Sequence, residues 1–121
     1  MLIKQNNLSH GIFLNGTTLY SSSMTTLWSW TYDLKAIAGG SNKKVVVTEM
    51  CAQGNPTRSL IIPPNHFNLL VVAHGSNHNF DFASGNINAA RSNIEVFDMT
   101  AVPSCGYNCV VGIRGEIWKV S

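Results

Sequence analysis

Charge is what this sequence has least of. Asp, Glu, Lys and Arg make up 12 % of its 121 residues, about half the usual quarter. Eight basic and six acidic residues leave a formal charge of +2, and the only adjacent basic pair is Lys43-Lys44. No basic stripe follows a phosphate backbone, so nucleic acid is not an expected partner. Long apolar runs are missing too. The longest, Leu69 to Ala73, is too short to span a bilayer, and no membrane insertion is expected. Met1 to Asn7 lacks the apolar core of a signal peptide, which points to folding in a cytosol. The cysteines, Cys51, Cys105 and Cys109, are odd in number and argue against a disulfide framework. Cys105-x₃-Cys109 with Cys51 offers three thiolates but no fourth ligand at a recognisable spacing, so small buried thiols are expected rather than zinc. Also absent are G-x-S-x-G and G-x-x-x-x-G-K. The six acids, Asp33, Glu49, Asp81, Glu95, Asp98 and Glu116, form no close pair. No catalytic residue, metal or cofactor is indicated, and the chain is expected not to be an enzyme.

What is present is β-patterning. From Trp28 to Ala36 every even position is apolar and every odd position polar, a period of two that an α-helix cannot use. This predicts a strand with one face on a core and one in water. Gly11–Leu14 and Thr17–Tyr20 flank Asn15-Gly16, the strongest short hairpin signal. Gly39 to Asn42 reads as the next turn, and Lys43 to Met50 as the next strand. Leu60–Ile62 is stopped by Pro63-Pro64, because proline cannot donate to a ladder. Strands are further expected over Phe67–Ala73, His78–Phe82 and Ile94–Met99, with a loop at Pro103–Asn108. A final hairpin, Cys109–Ile113 and Glu116–Val120, turns at Arg114-Gly115. A short helix fits only around Ile87–Arg91. About nine short strands and no long helix predict an all-β, single-domain antiparallel β-sandwich, jelly-roll-like, over residues 1–121.

Val45–Val47, Leu60–Ile62, Leu69–Val72 and Val110-Val111 are apolar at successive positions, hence on both strand faces. Either loops cover the second face or another subunit does. A homo-oligomer is therefore expected.

Two groups of side chains are candidates for binding. Trp28, Trp30 and Tyr32 share one strand face. The alternation favours a core role, and the other use is an aromatic platform for a sugar ring. His74 and His78 form H-x₃-H beside Asp81, with His66 upstream. Gly75-Ser76-Asn77 places a turn between them, and in an extended strand the two rings would stand about 13 Å apart. That is too far to share a metal at roughly 2 Å, so polar loop histidines are expected.

Gly11-Ile12-Phe13-Leu14-Asn15-Gly16, then Leu19-Tyr20-Ser21-Ser22-Ser23, and the succession of short strands give the chain a pattern that resembles the small all-β accessory proteins of bacteriophage tail modules. The resemblance carries over no functional residue. It implies a non-enzymatic structural protein of a virion, assembled in the host cytoplasm in symmetric copies with other virion proteins. The alternative is a carbohydrate-binding, lectin-like module whose Asn-rich loops hold a glycan. A further alternative is a small metal-binding β-fold enzyme near His66, His74 and His78.

Overall fold

A computed structural model describes residues 3–50, 57–76, 80–86, 92–108 and 116–119, the side chains at 38, 39, 84, 108 and 116–119 excepted. The first strands form one meander: β1 (Ile12–Asn15), β2 (Thr18–Ser22), β3 (Leu27–Asp33) and β4 (Ala38–Thr48). A second follows with β5 (Arg58–Ile61), β6 (Leu69–His74), β7 (Asn93–Asp98) and β9 (Glu116–Lys119). Between β7 and β9 the chain crosses over. The two-residue β8 (Tyr107–Asn108) joins the first sheet, parallel to β4, with Val47 opposite Tyr107. Sheet A is ordered β1-β2-β3-β4-β8 and sheet B β5-β6-β7-β9. The architecture is the expected all-β, two-sheet one.

Local chemistry explains the turns. Asn15 and Thr18 close the β1–β2 ladder, so the two-residue loop is Gly16-Thr17. Gly16 has φ +58° and Thr17 is not among the positive-φ residues, the pattern of a type II′ turn with glycine first. The expected Asn-Gly turn thus sits one residue later. Gly39 to Asn42 does not turn at all but lies inside β4. The reversal comes earlier, because Asp33 Oδ1 accepts hydrogen bonds from the backbone N–H groups of Lys35 (2.9 Å) and Ala36 (3.2 Å). This side-chain turn pre-empts the glycines. The alternating strand expected over His78–Phe82 does not form in its described part, 80–82, where a 3₁₀ turn, Phe82–Gly85, begins at its last residue. The expected helix around 87–91 and the expected strand 109–113 lie outside the described residues.

Leu27 pairs with Val47, and Trp28 with Val45. The skipped Val46 is a bulge that lets both Val46 and Val47 reach the interior. The core then draws on Tyr20, Leu27, Val46 and Val47 from sheet A, and Leu60, Leu70, Val72 and Phe97 from sheet B. Such fully buried side chains contribute about 1.5–3 kcal/mol each. Tyr107 seals one end: its ring lies 5.1 Å from that of Phe97, and its hydroxyl donates to the Asp98 carbonyl at 3.0 Å.

The inward parity of β3 is that of Leu27, not of the tryptophans. Trp28, Trp30 and Tyr32 occupy the outer face of sheet A, in line with Leu19 and Ile12 across the ladder. Trp28 and Tyr32, half-buried there, depart from their expected core role, whereas Trp30 is buried as expected. Trp30 is only 4 % exposed, with Leu19 directly opposite and the Trp28 ring 6.0 Å away, yet it is no part of the cluster between the sheets.

Candidate functional site

Buried polar side chains gather at one end of the two sheets. In sheet B, Arg58, His74 and Asn93 stand abreast on β5, β6 and β7. Glu95 follows two residues after Asn93 on the same inward parity. All four are buried. Asn93 Nδ2 donates to Glu95 Oε1 at 3.2 Å, while Asn93 Oδ1 accepts no hydrogen bond from the described residues. The Arg58 guanidinium, 1 % exposed, reaches under sheet A. Its Nε donates to the Met24 carbonyl at 3.2 Å and its Nη1 to the Thr57 carbonyl at 2.7 Å.

Those bonds anchor the β2–β3 connection, Ser23 to Thr26. Within it Ser23 Oγ accepts the backbone N–H groups of Thr25 (3.2 Å) and Thr26 (3.0 Å), and Ser23 N–H donates to the Thr26 carbonyl at 2.8 Å. Met50 N–H holds the Thr25 carbonyl at 3.0 Å. The turn is therefore rigid without a glycine. Ser9 N–H donates to the Ser22 carbonyl at 2.9 Å and brings the N-terminal segment alongside. Between segment and turn lies a cleft of about 580 Å³ lined by Gln5, Asn6, Asn7 and Ser9, by the Ser23–Thr26 turn, and by Trp28. No lining residue is charged. Lys43 stands at the rim, its Nζ donating to Gln5 Oε1 and lying 5.1 Å from the centre of the Trp28 ring. Amides and hydroxyls that both donate and accept, beside a half-buried indole, suit a neutral polyhydroxylated ring.

The expected histidine site does not form. His66 is exposed in the turn after Pro63, its N–H on the Pro63 carbonyl at 3.1 Å, whereas His74 is buried at the far end of β6. The length of β6 separates them by roughly 17 Å. His78 lies outside the described residues, and among these no three His, Cys, Asp or Glu residues converge as metal ligands. Cys105 is exposed, not buried as expected, because its loop lies at the surface; Cys51 and Cys109 lie outside the described residues. Of the aromatic candidates only Trp28 lines the cleft. Arg58, Asn93 and Glu95 were not singled out in the sequence, although the parities Arg58-Leu60-Ile62 and Asn93-Glu95-Phe97 place them among inward residues.

The TrAA12-like family model matches residues 1–116. The chain belongs to the TrAA12-like family. It is 32 % identical over 108 residues to the pyrroloquinoline quinone-dependent pyranose dehydrogenase of Coprinopsis cinerea, covering 88 % of this chain and 15 % of the relative. It is 28 % identical over 104 residues to the pyrroloquinoline quinone-dependent sugar dehydrogenase of Hypocrea jecorina (strain QM6a), covering 84 % and 24 %. Among solved structures it superposes on the holo pyranose dehydrogenase domain from Coprinopsis cinerea with a TM-score of 0.88 at 30 % identity, over 96 % of this chain and 28 % of that one. A Trichoderma reesei structure of carbohydrate-active enzyme family AA12 follows at 0.85 and 27 %, over 97 % and 29 %. The chain thus spans less than a third of each of these relatives.

Family membership corrects the likeness to phage tail-module proteins, and with it the virion location, the structural role and the expectation of a non-enzyme. The TrAA12-like relatives are named dehydrogenases. The phage likeness rested on the spacing of short strands, which any all-β chain with frequent turns shares, and on no residue that a ligand or reaction requires.

Proposed function

We propose that this chain serves a sugar oxidoreductase of the TrAA12-like family by holding a pyranose ring in the cleft between Gln5–Ser9 and Ser23–Thr26. The observation that carries this is the neutral, hydrogen-bonding lining of the cleft beside Trp28 in a chain whose relatives are named for pyranose and sugar dehydrogenation. Asn6, Asn7 and Gln5 present carboxamides, which donate and accept at once and so match vicinal hydroxyls. Thr25 and Thr26 add hydroxyls from a turn already locked by Ser23 Oγ. Trp28 offers an indole to the C–H groups of the ring. Arg58 acts beneath the site as a positioning residue, through the Met24 carbonyl.

The cofactor named for the relatives is a fused quinone bearing carboxylates, which calls for cationic donors around a flat slot. The lining of this cleft does not fit that group. Arg58 is buried and bonded to two backbone carbonyls, and the other buried charged residues, Asp81 and Glu95, are acids. The cleft has no cation in its lining. No step through the cofactor is assigned to these residues, and their part is to bind and orient sugar.

Saturation-transfer NMR with a panel of neutral aldopyranoses tests this. Transfer to ring protons is expected for the unaltered chain and loss of it in Asn6→Ala and Trp28→Ala. No transfer, or transfer that both substitutions leave intact, would overturn the proposal.

A further inference from the structure

Away from the Ser23–Thr26 turn, the space between sheet A and the Met99–Ser104 segment stays open as a second cleft, of about 560 Å³. Both of these walls belong to this chain. On one, Tyr20, Ser29 and Lys44 stand abreast on β2, β3 and β4, with the inward parity that Leu27 sets for β3. The other is pinned in place. Met99 N–H donates to the Asn68 carbonyl at 2.7 Å, and Gly106 N–H to the Pro103 carbonyl at 2.8 Å. The Tyr107 hydroxyl holds the Asp98 and Ala101 carbonyls at 3.0 and 3.3 Å.

Tyr20 is only 7 % exposed, and its ring belongs to the core cluster. Its hydroxyl makes no hydrogen bond among the described residues. Nor is that oxygen one of the sealed polar atoms without a partner, so it opens into the cleft that Tyr20 lines. A buried phenol usually finds a partner. Burial raises the Tyr20 pKa, which keeps the group a neutral donor.

We propose that this cleft binds a small polyhydroxylated carboxylic acid, a sugar acid by chemical class, with its carboxylate on the Tyr20–Ser29–Lys44 row. The row offers a phenol, a hydroxyl and an ammonium, and all three donate. Lys44, exposed at the mouth, is the only charged residue of the lining among the described residues. Donors with one positive charge and no acid beside them select an oxyanion. Neighbouring positions in the row stand about 5 Å apart, so a carboxylate with a hydroxyl on the next carbon spans them better than a carboxylate alone. Thr18 and Thr100 continue the polar lining. The Thr100 hydroxyl already donates to Asp98 Oδ1 at 2.7 Å and is left to accept, which suits an alcohol and not a second carboxylate. The volume takes a six-carbon acid. The site lies apart from the Gln5–Ser9 cleft, and the inference does not rest on the neutral-sugar reading.

Amide chemical-shift titration of the 121-residue chain with sodium gluconate, at matched ionic strength, tests this. Saturable shifts are expected around Tyr20, Ser29, Lys44 and Met99–Ser104, with sodium acetate weaker and glucose without effect there. Tyr20→Phe keeps the ring in the core, and Lys44→Gln alters an exposed side chain. Each is expected to weaken gluconate about tenfold, with the rest of the amide spectrum unchanged as the check on folding. Should Tyr20→Phe unfold, Lys44→Gln decides alone. Gluconate that gives no saturable shift at these residues would overturn the proposal. So would an affinity that Lys44→Gln leaves intact, or inorganic phosphate binding there as tightly as gluconate.

Discussion

Gly11 and Arg58 meet where the two sheets touch. A Cβ on Gly11 would stand 2.7 Å from Ser22 Oγ and 2.8 Å from Leu60 Cγ, and closer still to the Arg58 carbonyl. Gly11→Ala is therefore expected to destabilise the chain by about 2–3 kcal/mol through overpacking, read as a lower urea midpoint at an unchanged m-value. Arg58→Met keeps the aliphatic stem but leaves the Met24 and Thr57 carbonyls without their donor. The expected cost is about 3 kcal/mol, with weaker sugar binding because the Ser23–Thr26 turn loses its anchor. At Asp98, hydrogen bonds from the Thr100 hydroxyl and then its backbone N–H hold the carboxyl below the ordinary aspartate range. A carboxyl depressed in the folded state stabilises it above the unfolded value, and the contribution vanishes as pH falls through the folded one. Between about pH 5 and pH 3, wild type is thus expected to lose stability that Asp98→Asn does not lose. Equal losses in chemical denaturation would contradict that. Parity in the sequence marks Arg58 and Glu95 as inward. It does not reveal that both are covered, because coverage comes from the other sheet and the Ser23–Thr26 turn, many residues away.

At the scale of single elements, alternation from Trp28 onward identifies β3 correctly but is silent about which of its two faces meets the second sheet. The residues decide otherwise than bulk alone suggests. Leu27 opposite Val47 sets the inward parity, and the bulge at Val46 keeps it, so the tryptophans face out. Turns were legible to within one residue where one residue controls the backbone, as at Gly16, and misplaced further where two signals compete. Asp33 reverses the chain before Gly39-Gly40 can. Asp33→Ala is expected to cost about 1 kcal/mol, and Gly16→Ala about 1–2 kcal/mol, because an alanine at φ +58° is strained. Thermal unfolding of the two variants checks both values, and a Gly16→Ala chain as stable as wild type would exclude the type II′ turn.

For the whole molecule, strand spacing and composition sufficed for an all-β, two-sheet architecture, since both follow from local periodicity and turn chemistry. The cleft was not legible. It is made by joining Gln5–Ser9 to Ser23–Thr26 through Ser9 N–H on the Ser22 carbonyl, a contact that no local motif announces. Its ingredients, Asn-rich loops and Trp28 as one member of an aromatic platform weighed against a core role, were visible without their arrangement. Family membership likewise rests on a match over residues 1–116, far longer than any single motif. The most direct measurement of the central claim is a crystal structure of the chain with a bound neutral aldopyranose. The expected result is a ring lying between the carboxamides of Asn6 and Asn7 and the hydroxyls of Thr25 and Thr26, with one face toward Trp28. A sugar bound elsewhere on the chain, with the cleft holding only water, would contradict the account.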